Sequence, residues 1–190
     1  LAGVSRATVS RYLNNGYVSE EKKKIIRKVI EETGYQPSSQ AQMLRTKKTK
    51  LVGVILPKID SNTISREVAG ISDILTKKGY QLILANTNNN IEEELKYLSL
   101  FKDNQVDGVI FIATILTKQH RDMLKEYKVP IVLLGQRLEG YPCIFQDDQK
   151  AAMTLTEQMV KTGSKFGYIT VTDKDEAVGR KRMSGVEEIL

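Results

Sequence analysis

The chain has 190 residues, 41% of them hydrophobic and 27% charged, the profile of a soluble globular protein longer than one typical domain. A single cysteine, Cys143, excludes an internal disulfide and a cysteine-cluster metal site, and a single histidine, His120, leaves little from which to build a Ser-His-Asp triad. The net charge of +6 is unevenly placed: residues 1–50 carry eleven Lys/Arg against four Asp/Glu, and residues 51–190 carry eighteen against nineteen, so a cationic module suited to a polyanion precedes a near-neutral body.

The first segment, VSRATVSRYLNNG (4–16), is short and poor in apolar residues. Leu1-Ala2 reads as the tail of a preceding helix stopped at Gly3, so further chain is expected upstream of Leu1. Ser5 is placed to cap a helix that runs to Leu13 and is ended by Asn14-Asn15-Gly16. A further helix is predicted from Ser19 to Gly34, with Glu20 and Glu21 in its electropositive first turn and an apolar stripe of Ile25, Ile26, Val29 and Ile30. Pro37 breaks the chain, residues 38–45 have the length of two helical turns, and the basic stretch Thr46-Lys47-Lys48-Thr49-Lys50 follows as a linker. Eight residues form a marginal helix on their own in water.

From Leu51 onwards the pattern changes. Apolar runs LVGVIL, YQLILA, VDGVIFI and VPIVLL alternate with helix-like stretches at 63–78, 91–104 and 117–127, which predicts an α/β fold with a parallel sheet. A helix at 149–162 and a strand GYITV at 167–171 begin a second, similar series, and the chain is expected to stop one strand into it. None of the apolar runs is long enough to span a bilayer, and no signal peptide is visible. Ligands of open parallel sheets bind beyond the carboxyl ends of the strands. Here those ends carry Asp60-Ser61-Asn62-Thr63, Asn86-Thr87-Asn88, Thr114, Gln136-Arg137 and Thr172-Asp173, polar groups that suit a neutral polar ligand such as a sugar. Neither a Gly-x-Gly-x-x-Gly nor a Walker pattern occurs, so no nucleotide cofactor is implied.

A glycine turn followed by a helix of small and hydroxyl residues is what the second helix of a helix-turn-helix requires. Arg6 can offer a fork to guanine, Ala7 can touch a thymine methyl, and the hydroxyls and Arg11 can hold phosphates. The alternative is a small amphipathic helix in a bundle, with Val9 and Leu13 as core contacts. Three groups of matches decide between them. The first is Gly-Val-Ser-x-x-Thr-Val-Ser-Arg-x-Leu-Asn at 3–14, Gly34-Tyr35-x-Pro37 and Ala41-x-x-Leu44. The second is Thr49-x-x-Val52-Gly53-Val54, Gly70-Ile71 and Val106-Asp107-Gly108, and the third Val129-Pro130 and Arg182-x-x-Gly185. In order along the chain they resemble the lactose-repressor/galactose-repressor (LacI/GalR) family of bacterial transcription regulators.

The resemblance implies a helix-turn-helix DNA-binding domain at 1–36 without its first helix, and a hinge helix and linker at 37–50. It further implies a two-lobed effector domain like periplasmic sugar-binding proteins, with its first lobe at 51–146 and the start of a truncated second lobe at 147–190. By position, Ser5, Arg6 and Ala7 would meet bases, while Thr8, Ser10, Arg11, Asn14 and Ser19 would lie on or near phosphates and Tyr17 close to the major groove. Ser38, Ala41 and Leu44 fall on the hinge helix, with Leu44 as a minor-groove wedge. Thr63, Ile64, Gln136, Asp147 and Arg182 fall on the effector site. LLGQ, QDDQKAA and AVGRKRMSG look like members that sense sucrose, trehalose or related sugars, some phosphorylated. Alternatives remain: Arg182 can pair with a nearby acid, Asp147 can cap the following helix, and Ile64 can belong to the core.

The implied partners are operator double-stranded DNA, a small sugar or sugar phosphate, and a second copy of the chain. Neither a membrane nor a metal is implied, and the expected location is the bacterial cytoplasm. Ser38 stands where the family often has Asn, Gln42 where a basic residue is frequent, and Ser164 where a His is common. A plain solute receptor would not need the basic first fifty residues. A sugar-modifying enzyme lacks a histidine network, although Asp60 and Asp147 are carboxylates of the right type.

Overall fold

Ser5 adopts extended backbone (φ −65°, ψ 152°) and its side chain accepts the Thr8 N–H, opening α1 (Arg6–Leu13). This is seen in a computed structural model of the chain that describes residues 2–35, 46–103 and 106–190. The helix closes in a Schellman motif. Asn15 sits at φ 56°, its N–H donates to Tyr12 C=O at 3.2 Å, and the Gly16 N–H reaches back to Arg11 C=O at 2.8 Å. Ser19 then precedes α2 (Glu20–Thr33), which has Glu20 and Glu21 in its first turn and ends at Gly34 with φ 63°. Of the expected apolar stripe, Ile26 is buried, Val29 and Ile30 are half-buried, and Ile25 is exposed. In this unit, Leu1–Lys48, Val18 and Ile26 are the buried apolar residues among those described, and Val9 and Leu13 are half-buried.

The second unit, Thr49–Leu190, is a parallel sheet with helices on both faces. Its elements are β1 (Leu51–Leu56), α3 (Asn62–Lys77), β2 (Gln81–Asn86), α4 (Ile91–Asp103), β3 (Gly108–Ile112), α5 (Lys118–Lys125), β4 (Ile131–Leu134) and β5 (Cys143–Ile144). α6 (Asp148–Met159), a π-helical turn at Glu176–Lys181 and α7 (Arg182–Glu187) follow. The strand order is β2-β1-β3-β4-β5, with every pairing parallel. Alternation along β1 divides the core. Ile55 faces a cluster with Leu98, Phe101, Phe111 and Leu124, which α4 and α5 supply in part, while Val54 and Leu56 join Ile112 against Ile64, Val68 and Ile71 of α3.

The sequence reading anticipated four strands and the helices between them to within about three residues. It differs at two places. β5, two residues long, was not expected because two residues carry no period. The predicted strand 167–171 does not form: Ile169 is 98% exposed and the segment is irregular. Apolar alternation supplies a face to bury but not a partner to pair with, and no strand lies beside this segment among the described residues.

Gly53, in the middle of β1, makes room for a ring. A Cβ placed there would lie 2.5 Å from Phe101 Cδ2 and 2.7 Å from Cε2. Phe101 is itself buried in the core and cannot swing away. Gly53→Ala is therefore expected to cost about 1–3 kcal/mol through overpacking, read as a lower urea midpoint with an unchanged slope. An unaltered midpoint would mean that the ring relaxes freely.

Candidate DNA-reading surface and effector site

α1 has no buried residue and no acidic residue in its first turn. Its N-terminus carries the positive end of the helix dipole, which favours phosphate, although Ser5 already accepts the Thr8 N–H. Ser5, Arg6, Ala7, Arg11, Asn14 and Ser19 are exposed, Tyr17 is 91% exposed, and Thr8 and Ser10 are half-buried. Two pairs among them meet. The Ser5 and Thr8 hydroxyls lie 3.0 Å apart, and the Asn14 side-chain amide donates to Ser10 C=O. The guanidinium of Arg27 on α2 is raised above its ordinary pKa, with the Tyr12 hydroxyl of α1 as the largest cause. On α2, Lys23 pairs with Glu20 at 2.7 Å and lowers the Glu20 pKa. Ser38, Ala41 and Leu44 lie outside the described residues.

Of the five effector-site candidates, two act at the carboxyl end of β4 and at the head of α7. Gln136 is buried, and its Nε2 donates to Asp175 Oδ1 at 2.7 Å. The same oxygen accepts the Val178 N–H at 3.0 Å and caps the π-helical turn that leads into α7. Arg182 Nε donates to Asp148 Oδ1 at 2.6 Å, with Asp148 buried at the first position of α6. Asp147 is exposed and caps α6, accepting the Lys150 N–H at 3.2 Å. Thr63 is exposed in the first turn of α3, and Ile64 packs against the cluster of Val54, Leu56 and Ile112. No hydrogen bond or ion pair joins any two of these five among the described residues. The structural alternatives for Arg182, Asp147 and Ile64 are thus the contacts observed.

Sequence reasoning missed Asp148 and Asp175, the acceptors that hold Arg182 and Gln136. Asp148 adjoins a named candidate, and Asp175 lies two residues beyond Thr172-Asp173, but only the fold brings either to its partner. α7 reaches α6 closely because Gly185 has no side chain: a Cβ there would stand 2.3 Å from Gln149 C=O. Beside the Arg182–Asp148 pair opens a cleft of about 330 Å³, walled largely by Ala151, Leu155, Met159, Phe166, Tyr168 and Val186. Thr63, Ile64, Gln136 and Asp147 do not line it, whereas Gln146, Asp148, Thr156 and Arg182 do.

A helix pair with a capped, exposed first helix, followed by a parallel α/β body, defines a class: helix-turn-helix regulators joined to a periplasmic-binding-type domain. Residues 1–38 match the model described as bacterial regulatory proteins, lacI family, and residues 49–190 match periplasmic binding proteins and sugar binding domain of LacI family. The chain belongs to the LacI family. It is 35% identical over 187 residues to the sucrose operon repressor of Staphylococcus xylosus, covering 98% of this chain and 58% of that protein. It is 36% identical over 194 residues to catabolite control protein A of Priestia megaterium, covering 100% and 58%. It overlays on the lac repressor dimer bound to operator and the anti-inducer ONPF with a TM-score of 0.85 at 22% identity, covering 100% and 58%, a likeness of fold. The chain thus spans less than two thirds of the length of these relatives, which are named as regulators, not as enzymes. Among the described residues no helix is long and apolar enough to cross a membrane.

Asp175→Ala would leave the Gln136 amide and the Val178 N–H without an acceptor. A loss of about 1–3 kcal/mol is expected, measured by thermal unfolding. Asp175→Asn, oriented to keep its oxygen toward these donors, should lose less; equal losses would shift the effect from the hydrogen bonds to the charge.

Proposed function

We propose that this chain is the DNA-reading and ligand-sensing part of a homodimeric repressor of a sugar-utilisation operon, released from its operator by a small sugar or sugar phosphate of the sucrose or trehalose type. The observation that carries the reading is α1: a capped, basic helix whose Ser5, Arg6, Ala7 and Arg11 remain exposed while the unit's core is built elsewhere. The name of one relative, a sucrose operon repressor, supports the choice of sugar.

In this reading residues 1–36 bind DNA, 37–50 connect, 51–146 form the first lobe and 147–190 open the second. Ser5, Arg6 and Ala7 read bases, Thr8, Ser10, Arg11, Asn14 and Ser19 lie on or near phosphates, and Tyr17 lies close to the major groove. Ser38, Ala41 and Leu44 belong to the hinge, with Leu44 as the wedge in the minor groove. Thr63, Ile64, Gln136, Asp147 and Arg182 receive the sugar. For Arg182 to do so it must turn from Asp148 or share it, and its fork of donors suits hydroxyls or phosphate.

Two measurements test this. Arg6→Ala should cost about 1–3 kcal/mol at sites with the preferred base and relax the preference there, whereas Arg11→Ala should weaken all sites and lower the salt slope by about one. Identical behaviour across half-site variants would reject the division of roles. Titrating the whole protein with sucrose, trehalose and their phosphates, with and without operator, should show reciprocal weakening of about 1–3 kcal/mol. Sugar affinities indifferent to DNA would reject the switch.

A further inference from the structure

Where the chain enters the sheet, it is held more firmly than strand pairing alone requires. The carboxylate of Asp107, the residue before β3, accepts three hydrogen bonds from the residues before β1. Oδ1 takes the Thr49 N–H at 2.8 Å and the Thr49 hydroxyl at 2.9 Å, and Oδ2 takes the Lys50 N–H at 3.1 Å. The Asp107 N–H in turn donates to Leu51 C=O at 2.8 Å, and the Thr49 hydroxyl accepts the Leu51 N–H at 3.2 Å.

Lys50 stands at φ 60°, in the left-handed region that a residue with a side chain seldom occupies. Each of its groups is occupied from a different direction. Its N–H goes to Asp107, its C=O accepts the Gln81 N–H at 2.8 Å, and its ammonium lies 4.3 Å over the Tyr80 ring. Backbone in such a region persists where the surroundings over-determine it, and it concentrates at functional joints. The beginnings of β1, β2 and β3 are thus knotted around one lysine, the last residue of the basic linker.

We infer that Asp107 is a positioning residue for the switch, the clamp through which the α/β body acts on the connector at 37–50; this rests on the regulatory reading above. A joint that pivots freely absorbs displacement, and coupling between two sites needs a discrete element that both bias. With Thr49 and Lys50 fixed to β3, a displacement of the β1–β3 pair is passed to the connector. Without the carboxylate, the joint slackens and the body moves without moving the connector.

The experiment uses the whole protein as wild type, Asp107→Asn and Thr49→Val, with sucrose, trehalose and trehalose 6-phosphate as probes. The first reading is the ratio of operator Kd with and without sugar. In wild type the ratio should lie in the range of about 5–150; in Asp107→Asn it should fall below about 3, with sugar affinity of the DNA-free protein within about twofold of wild type. Thr49→Val, which removes only the hydroxyl, should give an intermediate ratio. The second reading needs no sugar. Hydrogen exchange of the Thr49 and Lys50 amides should accelerate in both variants while the β3 amides keep their protection. A wild type that ignores every sugar sinks the regulatory reading, and the clamp is then judged by exchange alone. Wild-type ratios or unchanged exchange in both variants overturn the clamp. Should Asp107→Asn fail to fold, Thr49→Val decides by the same two readings.

Discussion

A parallel strand flanked by two others and covered by helices on both faces has no side on which to place a polar group. β1 meets this constraint with Val54, Ile55 and Leu56 fully buried and with Gly53 ceding its side-chain volume to Phe101. The polar groups that adjoin β1 are therefore displaced to the two ends of the strands. At the amino ends, Thr49, Lys50 and Asp107 bind one another. At the carboxyl ends stand Asn86, Thr87 and Gln136, and they too are engaged: Asn86 Oδ1 accepts the Ile59 N–H at 3.1 Å, and the Thr87 hydroxyl donates to Leu56 C=O at 3.2 Å. The two polar edges are joined by a stiff apolar body. β1 has six residues at about 3.3 Å each, so the edges lie roughly 20 Å apart.

The same constraint bears on the one histidine. His120 and Glu94 are both buried, with Nε2 and Oε2 3.1 Å apart but not aligned as a hydrogen bond, and the imidazole stacks on Phe111 at 5.7 Å between centroids. Nδ1 lies 2.8 Å from the Thr117 hydroxyl, and His120 completes the capping box of α5. The imidazole is occupied in holding helix to sheet and is closed to solvent.

How far the sequence could be read followed the range of the interaction. Ser5, Asn15-Gly16 and Gly34 act within four residues of themselves, so the bounds of α1 and the end of α2 were legible. The runs in β1 to β4 were legible because burial on both faces leaves a continuous apolar signature. Asp107 and Asp175 were not, since their partners lie 58 and 39 residues away and an aspartate in a loop has no pattern of its own. The motif Val106-Asp107-Gly108 was visible as a resemblance, but what the aspartate binds was not. At 167–171 the signal misled, because it reports only the wish of side chains for burial.

α1 shows what an exposed helix gives up. Eight residues without a buried side chain fall below the length at which a helix holds in water unaided. Caps take the place of a core: the Ser5 side chain at one end and the Schellman turn at the other. A deeper core would require turning Arg6, Ala7 or Arg11 inward, and those are the side chains a duplex would need. Charge compounds the problem, since seven Lys/Arg against four Asp/Glu within residues 2–35 repel one another until an anion arrives. Exposure for recognition and marginal stability are thus one property of this segment, and its folding should strengthen as polyanion is bound.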